Sequence, residues 1–241
     1  MIDDWKTPQN ILVILAHPDD PEFFCGATLA RWAKAGHHIT YYLLTCGEKG
    51  AKESMGENFC TDELCRIRQV EQHAAAKIIG AEGVYFLDHP DGYLIPDLDL
   101  RREVTRIIRS VKPDILVTCD PGNLFPSTTY GINHPDHRAA GQAVLDAVFP
   151  AAGNPFYFPE LRQEGLDAHM PNEVWISLTS QPNVTLDVTD TWHIKTTALL
   201  EHKSQVGDPQ KFIQRQKNRH SEDSTNEEPR YEERFRRIIF H

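Results

Sequence analysis

Apolar residues in this chain come in short blocks separated by amphipathic stretches. ILVILA (11–16), ITYYLLT (39–45), VYFL (84–87) and DILVTC (114–119) are runs rich in β-branched and aromatic residues, which is the pattern of strands buried on both faces. Between them, residues 25–36, 61–80 and 98–111 read as helices, each ending near Gly or Lys-Pro. This alternation predicts an α/β fold, a Rossmann-like and mainly parallel sheet flanked by helices, whose sites lie beyond the carboxyl ends of the strands. A further helix is expected at about 135–149, followed by irregular chain in FPAAGNPFYFPE (149–160). EVWISLT (173–179) and VTLDVT (184–189), separated by SQPN, predict a C-terminal hairpin or antiparallel extension rather than another parallel crossover. A last helix is expected from Asp190-Thr191 to about Gln205, and the polar segment 207–230 reads as a surface excursion, either a mobile loop or a substrate lid.

With 241 residues and 40% apolar content, the chain is expected to form a single α/β domain over 1–241, partly irregular from about 207. A formal charge of −10 argues against a general nucleic-acid binder, which needs a basic surface to neutralise phosphates. No run of about 18 apolar residues is present, and MIDDWKTPQN lacks the features of a signal peptide, so no membrane span and a soluble, cytoplasmic protein are expected. The five cysteines are odd in number and form no CxxC pair. Reduced thiols are therefore expected, with Cys25, Cys46 and Cys119 as small buried hydrophobes rather than disulfide or zinc-ribbon partners.

Candidate chemistry gathers at two strand ends. His17-Pro18-Asp19-Asp20 follows the first apolar run directly, and His134-Pro135-Asp136-His137 follows the fourth at the start of a helix. Neutral imidazole and carboxylate suit zinc, and a catalytic site takes three such ligands with a position open for water. His17, Asp20 and His137 supply that set. Adjacent side chains point in different directions, so Asp19 is left free to act as general base. A divalent cation would stabilise the paired acids and bring the pKa of bound water to about 7. His134 would then stand opposite Asp19 as a cation facing the oxyanion or the leaving amine, oriented and charged by Asp136. The residues alone also allow a plainer reading, in which Asp136 caps a helix starting near His137 and His-Pro-Asp is turn chemistry. GxGxxG, GxxxxGK and GxSxG patterns are absent at the relevant turns, which disfavours dinucleotide, phosphate-loop and serine-hydrolase chemistry.

AHPDDPEFFCGATLARWAKAGHHITYYLLTCGEKG, together with HPDHRAAGQAV, resembles the PIG-L/LmbE-type N-acetylglucosaminyl deacetylase family, whose opening pattern is AHPDDxE followed by TxGExG. RIRQVEQHAAAKIIG, YFLDHPDGYL, HKSQ and YEERF resemble further family segments, so the similarity spans most of the chain. The resemblance implies a zinc-dependent hydrolase that removes an acetyl group from an N-acetylglucosamine-type amino sugar or its conjugate. It places His17, Asp20 and His137 on the zinc ligands, Asp19 on the general base, His134 and Asp136 on the oxyanion side, and Arg68 on a substrate-contacting arginine. A homo-oligomer is expected by the same analogy. The alternatives are an amidase acting on a thiol conjugate or antibiotic, and an inactive sugar- or metal-binding module. For Arg68 the plain alternative is a surface residue paired with Glu71 or Glu63.

Pro21, and Ala27 where a second glycine is usual, depart from the family pattern without touching a ligand. Glu22 reads as a helix-start or supporting carboxylate rather than a fourth ligand, because a fourth would displace the water. Glu48 and Asp91-Gly92 follow strands and could line the same rim, His89 reads as a turn residue, and NPFYFPE offers aromatic rings for packing or for stacking on a sugar.

Overall fold

A computed structural model describes residues 2–52, 60–126, 131–225 and 227–240. Strand β1 (Asn10–Leu15) leads into helix α1 (Asp20–Lys34), followed by β2 (His38–Thr45), α2 (Thr61–Ile79), β3 (Gly83–His89), α3 (Leu98–Val111) and β4 (Ile115–Cys119). Then come α4 (Pro135–Asp146), a π-helical turn at Ala147–Ala152, α5 (Pro159–Gln163), β5 (Glu173–Ser177) and β6 (Val184–Asp187). The chain closes with α6 (Thr189–Leu199), α7 (Lys203–Val206), α8 (Pro209–Lys217) and β7 (Glu232–Ile239). Seven strands form one sheet in the order β3-β2-β1-β4-β5-β7-β6. The first five are parallel, and β7 runs antiparallel to both β5 and β6.

The expected Rossmann-like α/β sheet is therefore present, and its antiparallel extension as well. Strand order reverses between β1 and β4, so their carboxyl ends open the crevice where such sheets bind ligands. Both faces of β1 are covered because its residues alternate between two cores. Ile11, Val13 and Leu15 pack with Leu29, Trp32 and Trp175, whereas Leu12 and Ile14 pack with Val104, Ile108 and Val144. This double coverage explains why the central strands read as continuous apolar runs.

Several elements differ from the sequence expectation. Helix α1 starts at Asp20 rather than 25, because Pro21 and the acids Asp20 and Glu22 favour a helix start, and a kink at Cys25 (φ −149°) divides it. The Ala27 and Thr28 N–H groups beyond the kink donate to the Glu233 carboxylate at 3.2 and 2.7 Å. Lys195 pairs with Glu233 at 2.7 Å and also donates to the Phe23 carbonyl. That buried pair explains why β7 escaped detection, since an inward-facing Glu broke its apolar alternation. Strand β5 pairs with β4 through a parallel crossover, and β7 lies between β5 and β6, so 173–179 and 184–189 are not hairpin partners. The last helix divides into α6 and α7 at His202. The polar segment 207–230, in which Asn226 lies outside the described residues, contains α8, capped by the Asp208 carboxylate and burying Phe212 and Gln216.

The expectation of reduced thiols is corrected by a disulfide between Cys46, just after β2, and Cys65 in α2, with 5.1 Å between Cα atoms. Their 19-residue separation gave no local motif; the fold alone brings them together. Cys25 and Cys119 are free and buried as expected, and Cys60 is free and exposed. No helix among the described residues is long and apolar enough to cross a membrane.

Glu233→Ala should destabilise the chain by about 3–5 kcal/mol, because it strands a buried ammonium along with two backbone donors. Urea unfolding of the variant against the parent measures this.

Candidate active site

His17 leaves the end of β1 in a tight turn. Its N–H donates to Asp20 Oδ2 at 2.9 Å, and the Asp20 N–H lies 3.3 Å from the His17 carbonyl. Closing that turn puts Asp19 at φ 90°, a left-handed conformation uncommon outside glycine. After β4, the loop reaches His134, which caps α4 by accepting the Asp136 N–H at its Nδ1 at 3.1 Å. One turn on, His137 faces back toward the end of β1.

His17 Nδ1 lies 3.2 Å from His137 Nε2, which lies 3.0 Å from Asp20 Oδ1; Asp20 Oδ2 is 3.6 Å from His17 Nδ1. His17, His134 and Asp136 form a second group of three close enough to share an ion. The outer hydrogen bonds favour the first group as the donor set. His17 Nε2 faces Asp91 Oδ1 at 3.0 Å and Asp136 Oδ2 at 3.3 Å, and His137 Nδ1 faces Asn133 Oδ1 at 3.0 Å. Each imidazole thus has an oxygen acceptor on its outer nitrogen, which fixes the tautomer and turns the lone pair of the other nitrogen inward. The Asp136 carboxylate is further engaged by the Gly92 and Leu94 N–H groups at 2.6 and 3.2 Å. Two inward lone pairs and the Asp20 carboxylate make a donor set suited to a divalent cation.

The electrostatics agree. Burial pushes the Asp20 carboxyl up, but His137 and His17 outweigh it and hold the group well below the usual carboxylate range. Burial pushes His17 down, yet hydrogen bonds to Asp136, Asp20 and Asp91 raise it well above 6.5, so the acids around it favour a positive charge there. Asp91, buried but bonded to His17, is held at about 2. Asp19 is raised by burial despite Arg68, which suits a proton acceptor. His134 is lowered by burial and by the neighbouring imidazoles of His17 and His137. That downward shift runs against the cation expected there, and its capping bond at Nδ1 leaves Nε2 to carry the hydrogen. The Asp136 carboxylate serves His17, while its backbone N–H orients His134.

Arg68 is buried rather than on the surface. It donates to the Gly47 carbonyl at 2.8 Å and the Pro18 carbonyl at 2.6 Å, and lies 3.3 Å from Asp19 Oδ2. Gly47 must be glycine, because a Cβ there would sit 2.2 Å from Arg68 Nη1 at a φ of 68°. Glu48 and Asp91 interlock: the Asp91 N–H donates to Glu48 Oε1 and the Lys49 N–H to Asp91 Oδ2. Glu22 lies inside the protein, bonded by Gln72 and His202. His89 pairs with Glu103 at 2.7 Å, and Phe156 is 88% exposed. Sequence reasoning missed Gln72 altogether and gave His202 no role, although HKSQ was its visible signal.

The family profile described as PIG-L, GlcNAc-PI de-N-acetylase, matches residues 12–148, more than half of the chain and a span holding every residue of the two His-Pro-Asp clusters. The chain belongs to the PIG-L family. This PIG-L chain is 32% identical over 197 residues to diacetylchitobiose deacetylase of Thermococcus kodakarensis, covering 82% of this chain and 70% of that relative. It is 27% identical to a 1D-myo-inositol 2-acetamido-2-deoxy-alpha-D-glucopyranoside deacetylase of Rhodococcus erythropolis, with 82% and 81% covered. Among solved structures, N,N'-diacetylchitobiose deacetylase from Pyrococcus horikoshii superposes with a TM-score of 0.84 at 26% identity, covering 97% of this PIG-L chain and 85% of that one.

Because Asp91 is held at about 2 against an ordinary 3.8, the stability it confers is fully present above about pH 4 and lost as pH falls toward about 2. Asp91→Asn should therefore cost the metal-free protein on the order of 2 kcal/mol at neutral pH, and the gap should close across that acid window. Urea midpoints of both proteins across the pH series check this.

Proposed function

We propose that the chain is a metal-dependent N-deacetylase, with zinc the fitting ion, that releases acetate from an N-acetylglucosamine-type sugar or its conjugate. The observation that carries this reading is the convergence of His17 Nδ1, His137 Nε2 and the Asp20 carboxylate, with Asp19 beside them and outside the donor set. His17, Asp20 and His137 would hold the ion. When bound, a divalent cation of this kind supplies Lewis acidity, polarising the amide carbonyl and acidifying water.

The remaining work falls to side chains of this protein. The Asp19 carboxylate, raised by burial, accepts the proton of the attacking water. Arg68 lies against it at 3.3 Å, and the buried setting of Arg68 favours holding Asp19 over direct contact with a sugar. His134 presents Nε2–H to the oxygen of the amide as it gains negative charge; a neutral donor does this without adding a cation to the site. Asp136 and Asp91 keep His17 in the tautomer that its inward nitrogen requires. A carbon–oxygen bond to water forms, the amide carbon–nitrogen bond breaks as the departing nitrogen takes up the proton accepted by Asp19, and acetate and a free amine leave. Relatives named for diacetylchitobiose and for an acetamidoglucopyranoside of inositol support an N-acetylated amino sugar over an antibiotic or thiol-conjugate amide.

Acetate release from N,N'-diacetylchitobiose by the zinc-loaded protein tests the reading. Asp19→Asn should keep its metal and lose about two to four orders of magnitude in turnover. His134→Ala should lose about two to three. Undiminished turnover in Asp19→Asn would remove the general base from the scheme.

A further inference from the structure

The Pro18–Asp19 peptide is gripped at both edges by one face of α2. Its carbonyl accepts from Arg68 Nη2 at 2.6 Å, and its N–H donates to Gln72 Oε1 at 2.7 Å. Arg68 and Gln72 are four residues apart, one helical turn, so their side chains share a face. The orientation of this peptide plane sets the φ of Asp19, which stands at 90°. A clamp on both edges resists the plane rotation that would return Asp19 to an ordinary negative φ and swing its carboxylate elsewhere.

Behind Gln72 lies a buried chain of acceptors and donors. Gln72 Nε2 donates to both oxygens of Glu22, at 3.0 and 3.1 Å, and His202 Nε2 lies 3.2 Å from Glu22 Oε2. Gln72, Glu22 and His202 are all 0% exposed. Both Glu22 oxygens accept from the same NH2, so Glu22 selects the amide rotamer of Gln72; the flipped amide would set its carbonyl against the Glu22 oxygens and its NH2 against the Asp19 N–H. His202 in turn holds Glu22 from the segment between α6 and α7. Two sequence features without a part in the chemistry so far, the glutamate of AHPDDPE and the histidine of HKSQ, converge on one backbone N–H.

We propose that Gln72 is a positioning residue for Asp19, with Glu22 and His202 fixing its amide, so that α2 sets the aim of the general base through the Pro18–Asp19 peptide. This rests on the reading of Asp19 as the base. The roles separate cleanly from ion binding: Asp20 ligates while Asp19 is held away from it by a different element.

Steady-state kinetics of the zinc-loaded protein on N,N'-diacetylchitobiose, together with metal content, test the proposal. Gln72→Leu should lower kcat about ten- to a hundredfold, the scale of a misplaced catalytic group, with metal content at the parent level and KM within about twofold. In an Asp19→Asn background, Gln72→Leu should lower kcat no further, because the clamp acts only through Asp19; a merely structural role would give losses that multiply. If Gln72→Leu fails to fold, the isosteric Glu22→Gln, which removes the selection of the amide rotamer, should show a smaller kcat loss with the same non-additivity. Full kcat in the folded variants, or losses that multiply with Asp19→Asn, overturns the proposal. If Asp19→Asn loses its about two to four orders of turnover while Gln72→Leu keeps the parent kcat, the clamp fails and the base assignment stands; if Asp19→Asn keeps the parent turnover, both fall.

Discussion

The structure is organised around a concentration of carboxylates at the reversal point of the sheet. Asp20 approaches His17 on one ring nitrogen, and Asp91 and Asp136 approach it on the other; Asp19 lies next in sequence. Asp20 and Asp136 are almost wholly removed from solvent. Buried charges of one sign persist only where something of opposite charge compensates them. Arg68 meets part of that need, and in the proposed function a divalent cation between His17, Asp20 and His137 would meet the rest. In the proposed function the same ion would relate stability to chemistry, since the group that relieves the repulsion would also activate the reaction.

The surrounding fold distributes the support for this arrangement over elements distant in sequence. The loop after β2 holds Asp91 through Glu48 and Lys49, and the Cys46–Cys65 disulfide ties that loop to α2. Helix α2 then reaches the turn after β1 with Arg68 and Gln72. On the far side, Glu233 of β7 and Lys195 of α6 secure the kinked α1, whose first residue is Asp20. Asp19, His17 and Asp20 are therefore each held by groups from at least one other element, as a site requires if misplacement by about 1 Å is costly.

The parallel half of the sheet was legible because its strands are buried on both faces and read as uninterrupted apolar runs. The two clusters at strand ends were legible because imidazoles and acids beside a buried strand need a reason to be there. What escaped was long-range and charged. Strand β7 carries an inward Glu233 that makes sense only beside Lys195, some forty residues earlier in the chain. The disulfide joins cysteines with no local motif. Gln72 sits on a helix face whose partner is a single peptide plane 53 residues away. Spacing assigned Arg68 to the right helix, but its inward direction depends on how α2 packs, and the downward shift of His134 depends on burial and on imidazoles brought near only by folding.

The most direct test of the central claim is anomalous diffraction at the zinc edge from crystals of the protein loaded with one equivalent of zinc. The account predicts a single ion bound by His17 Nδ1, His137 Nε2 and an Asp20 oxygen, at distances of about 2.0–2.2 Å. An ion seated instead on His134, Asp136 and the outer nitrogen of His17, or no ion at the sheet reversal, would contradict it.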